Sequence, residues 1–129
     1  MFCPRNSICS GVFFVQKSIA NGIDIIRIFD CLNDLRNLQT AVKAANKENG
    51  HAQVALSYTL GDAYTLEYWT TMAKNIEEMG ANSICIKDMA GLLLPYKATE
   101  LVKAISLIQM ELAPISSMFF AMVVQYSRV

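Results

Sequence analysis

Histidine is almost absent from this 129-residue chain: His51 is the only one. Cysteine is scarce too, with Cys3, Cys9, Cys31 and Cys85 forming no Cys-x-x-Cys pair. Zinc sites need clustered cysteine and histidine at short spacing, so a structural zinc site is not expected. The same scatter argues against a disulfide framework and points to a reducing, cytoplasmic setting. Charge of one sign is missing as well. Eleven Lys and Arg balance eleven Asp and Glu, which leaves no basic face for nucleic acid. Long apolar runs are absent: Gln16 and Lys17 interrupt the N-terminal patch, and SSMFFAMVV near the C-terminus falls short of the ~20 residues of a membrane span.

What is present is apolar and periodic. Hydrophobic residues make up 53% of the chain and charged ones 17%, a balance that argues against disorder. Three segments follow a glycine and end in a polar loop: Gly22-IDIIRIFD, Gly50-HAQVALSYT and Gly80-ANSICIKD. Their ends, Asp30, Thr59 and Asp88, lie 29 residues apart twice in succession. Equal periods mark a repeated supersecondary unit, and each segment has the length and β-branched content of a strand.

Helical patterns lie between the strands. Leu35, Leu38, Ala41, Val42 and Ala45 fall on one 3.6-residue face, with Asp34 as its cap and Asn49-Gly50 as its stop. A second helix opens at Thr65, carries Leu66, Trp69, Met72, Ala73, Ile76 and Met79 on one side, and ends at Gly80. A third starts at Pro95 with Ala98, Leu101, Val102 and Ile105. Residues 12–21 form a helix before the first strand. The order α-β-α-β-α-β-α predicts an α/β fold with a parallel sheet and outer helices. An open doubly wound sheet and a (β/α)8 barrel both fit. A complete barrel takes about 250 residues, so on that reading the chain holds about three of its βα units.

Alternation assigns faces. In SICIKD, Ile84 and Ile86 oppose Ser83, Cys85 and Lys87. In HAQVALSYT, Val54, Leu56 and Tyr58 oppose Gln53, Ala55, Ser57 and Thr59. The apolar sets are expected against the helices, the smaller polar sets inside the barrel. Lys87 then projects inward at the C-terminal end of its strand, where barrel active sites lie. In IDIIRIFD, Arg27 and Phe29 oppose Ile28 and Asp30, and alternation alone does not choose between the faces. An ammonium at the end of a buried run is either solvated by snorkelling or part of the chemistry, since an unpaired buried charge is costly.

Residues 14–105 resemble the carboxyltransferase domain of biotin-dependent enzymes: the oxaloacetate decarboxylase α subunit, pyruvate carboxylase and the transcarboxylase central subunit. The resemblance rests on NGIDIIRIFDCLND (residues 21–34), SYT with TLEYW (57–69) and EEMGANSICIKDMAGLL (77–93). It implies a TIM barrel in which Lys87 is carbamylated and becomes a ligand of a divalent metal of the zinc, manganese or cobalt class. Desolvation favours the neutral amine that adds carbon dioxide, and the carbamate oxygens suit such an ion. It further implies oxaloacetate or pyruvate as substrate, biotin carried on a separate domain or subunit, and the other subunits of a decarboxylase complex as partners. Location is then cytoplasmic, or peripheral to a membrane through those partners.

Asp30, Thr59, Cys85 and Asp88 are candidates to line the site. Loop capping is the competing account for the two aspartates, packing for Thr59, and for Cys85 no neighbouring base suggests a nucleophile. His51, at the N-terminal end of its strand, is expected to serve stability rather than ligation.

The family's other ligands have no counterpart. Its first-strand aspartate would precede Met1, and Ser116-Ser117-Met118 follow Pro114-Ile115 where its His-x-His pair is expected. Pro4 stands where the family has a keto-acid-binding arginine, with Arg5 one place off. The chain is therefore expected to comprise a divergent segment 1–13, a partial barrel 14–105 and a divergent apolar tail 106–129. Such ends predict a truncated or frame-shifted reading frame, inactive by itself for want of ligands.

Overall fold

The computed structural model describes residues 4–112 and 119–124, with side chains described over 11–106. The elements run α1 (Pro4–Ala20), β1 (Ile25–Phe29), α2 (Leu35–Lys47), β2 (His51–Ser57), α3 (Leu66–Glu78), β3 (Ser83–Asp88), α4 (Pro95–Leu112) and β4 (Phe119–Val124). All strand pairs are parallel, in the order β1-β2-β3-β4. Each strand thus lies beside its predecessor with a helix crossing between, the arrangement of a partial (β/α)8 barrel.

The caps lie where sequence places them. Asp34 accepts from the Arg36 N–H at the start of α2, and Thr65 accepts from Tyr68 N–H at the start of α3. Gly80 takes a φ of 92° after α3, a left-handed conformation that glycine adopts without strain. At Gly50 the reason is space: an added Cβ would collide with the Ile19 side chain of α1.

Elements extend into both ends of the chain. The first helix begins at Pro4, not residue 12, so α1 crosses the boundary drawn at residue 13. Beyond residue 105, α4 continues to Leu112, and Phe119–Val124 form a fourth strand in register from Ser83↔Phe119 to Asp88↔Val124. The run Phe119–Val124, within the expected apolar tail, has the β-branched and aromatic content of a strand. Segment 114–118, with the Pro-Ile-Ser-Ser-Met departure, lies outside the described residues, as does Cys3; the Arg5 side chain also lies outside them.

The structure resolves the ambiguity of β1. Ile28 is buried in one core with Val54, Leu56, Ile84 and Ile86, packed against Val42, Trp69, Ile76 and Ile105 of the helices. Ile26 packs beside them, while Ile25 and Phe29 remain 54% and 48% exposed. Arg27 and Phe29 therefore share the inner face with Ser57 and Lys87. Each buried isoleucine contributes about 1.5–3 kcal/mol relative to an exposed one, which sets the parity of the strand against Arg27. Among the described residues no helix is long and apolar enough to cross a membrane.

Candidate active site at the C-terminal ends of the strands

Lys87 is the penultimate residue of β3 and only partly buried. Its Nζ lies 4.8 Å from the centre of the Phe29 ring. Phe29 belongs to β1 and Lys87 to β3, so the contact reaches over β2, where Ala55 is the registered partner of Phe29. The small methyl of Ala55 leaves the room. Lys87 and Thr59 line one cavity of about 300 Å³ together with Asn33, Ser57 and Cys31.

The loop after β1 is held from within. The Asp30 carboxylate accepts from Leu32 N–H at 2.9 Å, Asp34 N–H at 3.0 Å and the Asn37 amide at 3.2 Å. These donors, the Asp34 N–H foremost, hold its carboxyl below the ordinary aspartate value. Asn33, at a φ of 57°, turns its carboxamide onto the Ser57 main chain, accepting from the N–H at 2.8 Å and donating to the carbonyl at 2.9 Å. The Ser57 hydroxyl donates to the Asp30 carbonyl at 3.1 Å.

Asp88 serves the next loop in the same manner. It is 1% exposed and accepts from Leu92 N–H at 3.0 Å and Leu93 N–H at 2.8 Å. Tyr58 stacks on Trp69 at 5.5 Å, and burial, with the Asp88 charge second, pushes its phenol up. At the opposite end of the sheet, His51 Nε2 lies 2.6 Å from Ser83 Oγ. Gln53 donates to that hydroxyl at 3.2 Å and accepts from Arg27 Nε at 2.8 Å. His51 thus belongs to a polar network away from Lys87.

Of the residues singled out in the sequence, the structure brings Lys87 and Thr59 into one cavity. Asp30 and Asp88 direct their carboxylates to backbone N–H groups. Cys85 is fully buried, its sulfur 3.7 Å from the Ile86 carbonyl. Sequence reasoning misses Phe29 as the neighbour of Lys87 and Asn33 as the clasp on Ser57. The first needs the parity of β1; the second has a signal, since asparagine is among the few residues that adopt positive φ readily.

A divalent metal does not fit the described residues by themselves. Among them no three His, Cys, Asp or Glu side chains cluster. Lys87 as carbamate would be a lone protein ligand, because the carboxylates at the strand ends are spent on loop amides. What the inner face does offer is positive charge. Arg27 and Lys87 lie there, and β1, β2 and β3 place no carboxylate on that face.

Known proteins resemble this chain in sequence and in fold. No family model matches the chain. A pyruvate carboxylase subunit of Methanocaldococcus jannaschii is 56% identical over 90 residues, covering 70% of this chain and 16% of that protein. The methylmalonyl-CoA carboxyltransferase 5S subunit of Propionibacterium freudenreichii is 45% identical over 92 residues, covering 71% and 18%. The carboxyl transferase domain of Rhizobium etli pyruvate carboxylase, solved with pyruvate and biocytin, superposes with a TM-score of 0.75 at 37% identity. That match covers 78% of this chain and 18% of the solved one. The chain thus spans less than a fifth of the length of these relatives. By sequence and by fold, the chain is similar over most of its length to the carboxyltransferase domain of biotin-dependent carboxylases.

Proposed function

We propose that this chain supplies part of the active site of a biotin-dependent carboxyltransferase acting on a keto acid. The reaction is decarboxylation of oxaloacetate or carboxyl transfer between carboxybiotin and pyruvate, with biotin carried on a partner domain or subunit. The observation that carries the reading is Lys87, placed at the C-terminal end of a parallel strand and lining an open cavity of about 300 Å³. That is the end of the fold at which barrel enzymes do their chemistry.

The electrostatics support an anionic substrate. Oxaloacetate and pyruvate interconvert through an enolate, whose charge is stabilised by positive groups held in place before it develops. Lys87, resting against Phe29 at 4.8 Å, is the cation at the cavity, while Arg27 is held by Gln53 at 2.8 Å nearer the other end of the same face. Carbamylation of Lys87 would reverse its charge and present oxygens to a divalent ion. The described residues do not complete such a site.

The test is oxaloacetate turnover by the purified chain, with and without a biotin carrier partner, at high enzyme concentration and with bicarbonate and divalent metal added. Turnover that Lys87→Ala abolishes supports the reading. No turnover in either condition, with no metal retained, counts against it.

A second reading, a partner-dependent piece without activity alone, draws on the edge strand. β1 leaves Ile25 and Phe29 about half exposed beside an outer edge that pairs with no described strand, and such edges invite association. A soluble monomer with a sharp, cooperative melting transition would contradict it.

A further inference from the structure

β1 ends too early for β2. Its last registered pair is Phe29↔Ala55, yet β2 continues to Ser57, whose registered partner on the other side is Lys87. Main-chain groups of successive strand residues point alternately to the two neighbours. His51 N–H bonds to the Asp24 carbonyl ahead of β1, whereas Tyr58 N–H bonds to the Lys87 carbonyl at 2.9 Å. Odd-numbered residues of β2 therefore address β1, and Ser57 is one of them. Its N–H and carbonyl point where β1 would continue, but the chain has already turned at Asp30.

The Asn33 carboxamide occupies that place. It carries the same donor and acceptor as a peptide group, and it meets both main-chain groups of Ser57 at 2.8 and 2.9 Å. The residue is 8% exposed, so with the carboxamide in place the Ser57 main chain is covered on that side. Its φ of 57° is what swings the side chain back over the strand end.

We propose that Asn33 is a positioning residue: its side chain extends the β1–β2 ladder by one rung, at Ser57, the residue registered with Lys87 of β3, and thereby sets the shape of the substrate cavity. This rests on the keto-acid reading for its functional half, while the clasp itself does not. Through Ser57 the clasp fixes the end of β2, and through the Ser57–Lys87 pairing it fixes the backbone from which Lys87 projects.

Two variants separate the clasp from the turn. Asn33→Gly keeps, and eases, the left-handed backbone but removes the carboxamide; Asn33→Asp keeps the acceptor for Ser57 N–H and loses the donor. Hydrogen exchange of the Ser57 amide reads the clasp, and it is expected to quicken about tenfold in Asn33→Gly and less in Asn33→Asp. Pyruvate titration, followed by the fluorescence of Trp69, the only tryptophan, reads the positioning. The Kd for pyruvate is expected to rise about tenfold in Asn33→Gly, well below the melting temperature and with unchanged far-UV circular dichroism. A merely structural role lowers the melting temperature and leaves Kd unmoved, which overturns the positioning role. Unchanged Ser57 exchange in Asn33→Gly overturns the clasp whatever pyruvate does. If the unsubstituted chain binds no pyruvate, the keto-acid reading falls and the positioning role with it, while the exchange result still judges the clasp.

Discussion

Lys87 of β3 and Phe29 of β1 meet over the top of Ala55, with the ammonium 4.8 Å from the ring centre. Two strands that share no hydrogen bond are thereby joined across the inner face of the sheet. A cation over an aromatic ring at an open site contributes about 0.5–1 kcal/mol. In a double-mutant cycle of Phe29→Leu and Lys87→Met, chemical denaturation should return a coupling energy of about that size. A coupling indistinguishable from zero would show that the contact carries no energy.

The two faces of β1 should respond differently to the same insult. Ile28→Asp places a carboxylate in the core formed with Val54 and Ile84 and should abolish cooperative unfolding. Ile25→Asp, at a position 54% exposed, should change stability by no more than about 0.5 kcal/mol. Equal effects would mean that the strand is not held in this parity.

Asp88 is expected to matter for folding as much as for any chemistry. Its carboxylate satisfies two loop amides while 1% exposed. Asp88→Ala leaves both donors without a partner and should cost about 2–4 kcal/mol by denaturant titration. Asp88→Asn retains one acceptor oxygen and should cost roughly half as much. A neutral Asp88→Ala would contradict the capping role.

Acid should loosen the β1–α2 loop. Hydrogen bonds from Asp34 N–H, Asn37 and Leu32 depress the Asp30 carboxyl, and the Arg36 side chain depresses that of Asp34. A group whose folded value is depressed adds stability above its unfolded value, and that stability is lost as pH falls through the folded one. The midpoint of unfolding should therefore hold steady down to about pH 4 and decline below it. Asp30→Asn should flatten that decline at low salt; an unchanged acid limb would leave Asp30 without a part in it.

Much of the fold was legible from local rules. The 29-residue recurrence of Asp30, Thr59 and Asp88, the caps at Asp34 and Thr65, and the stop at Gly80 are written in short stretches of chain. Each depends on a few neighbouring residues, so no distant contact had to be known. The fourth strand was not legible, because six apolar residues become a strand only when an edge such as that of β3 is there to pair with them. The site divides along the same line. Lys87 could be placed by alternation, since Ile84 and Ile86 both demand the helices. Arg27 and Phe29 could not, because β1 offers isoleucine to both faces.

By itself, then, the sequence determined the repeat, the parallel order of strands and helices, and the inward direction of Lys87, since these follow from period, cap and alternation. Only the tertiary structure decided which face of β1 meets the core, that Phe29 is the neighbour of Lys87, and that Asn33 completes the ladder at Ser57. Those three depend on registers between strands well separated along the chain. A register between distant strands is set by the burial of many side chains together, which no local pattern contains.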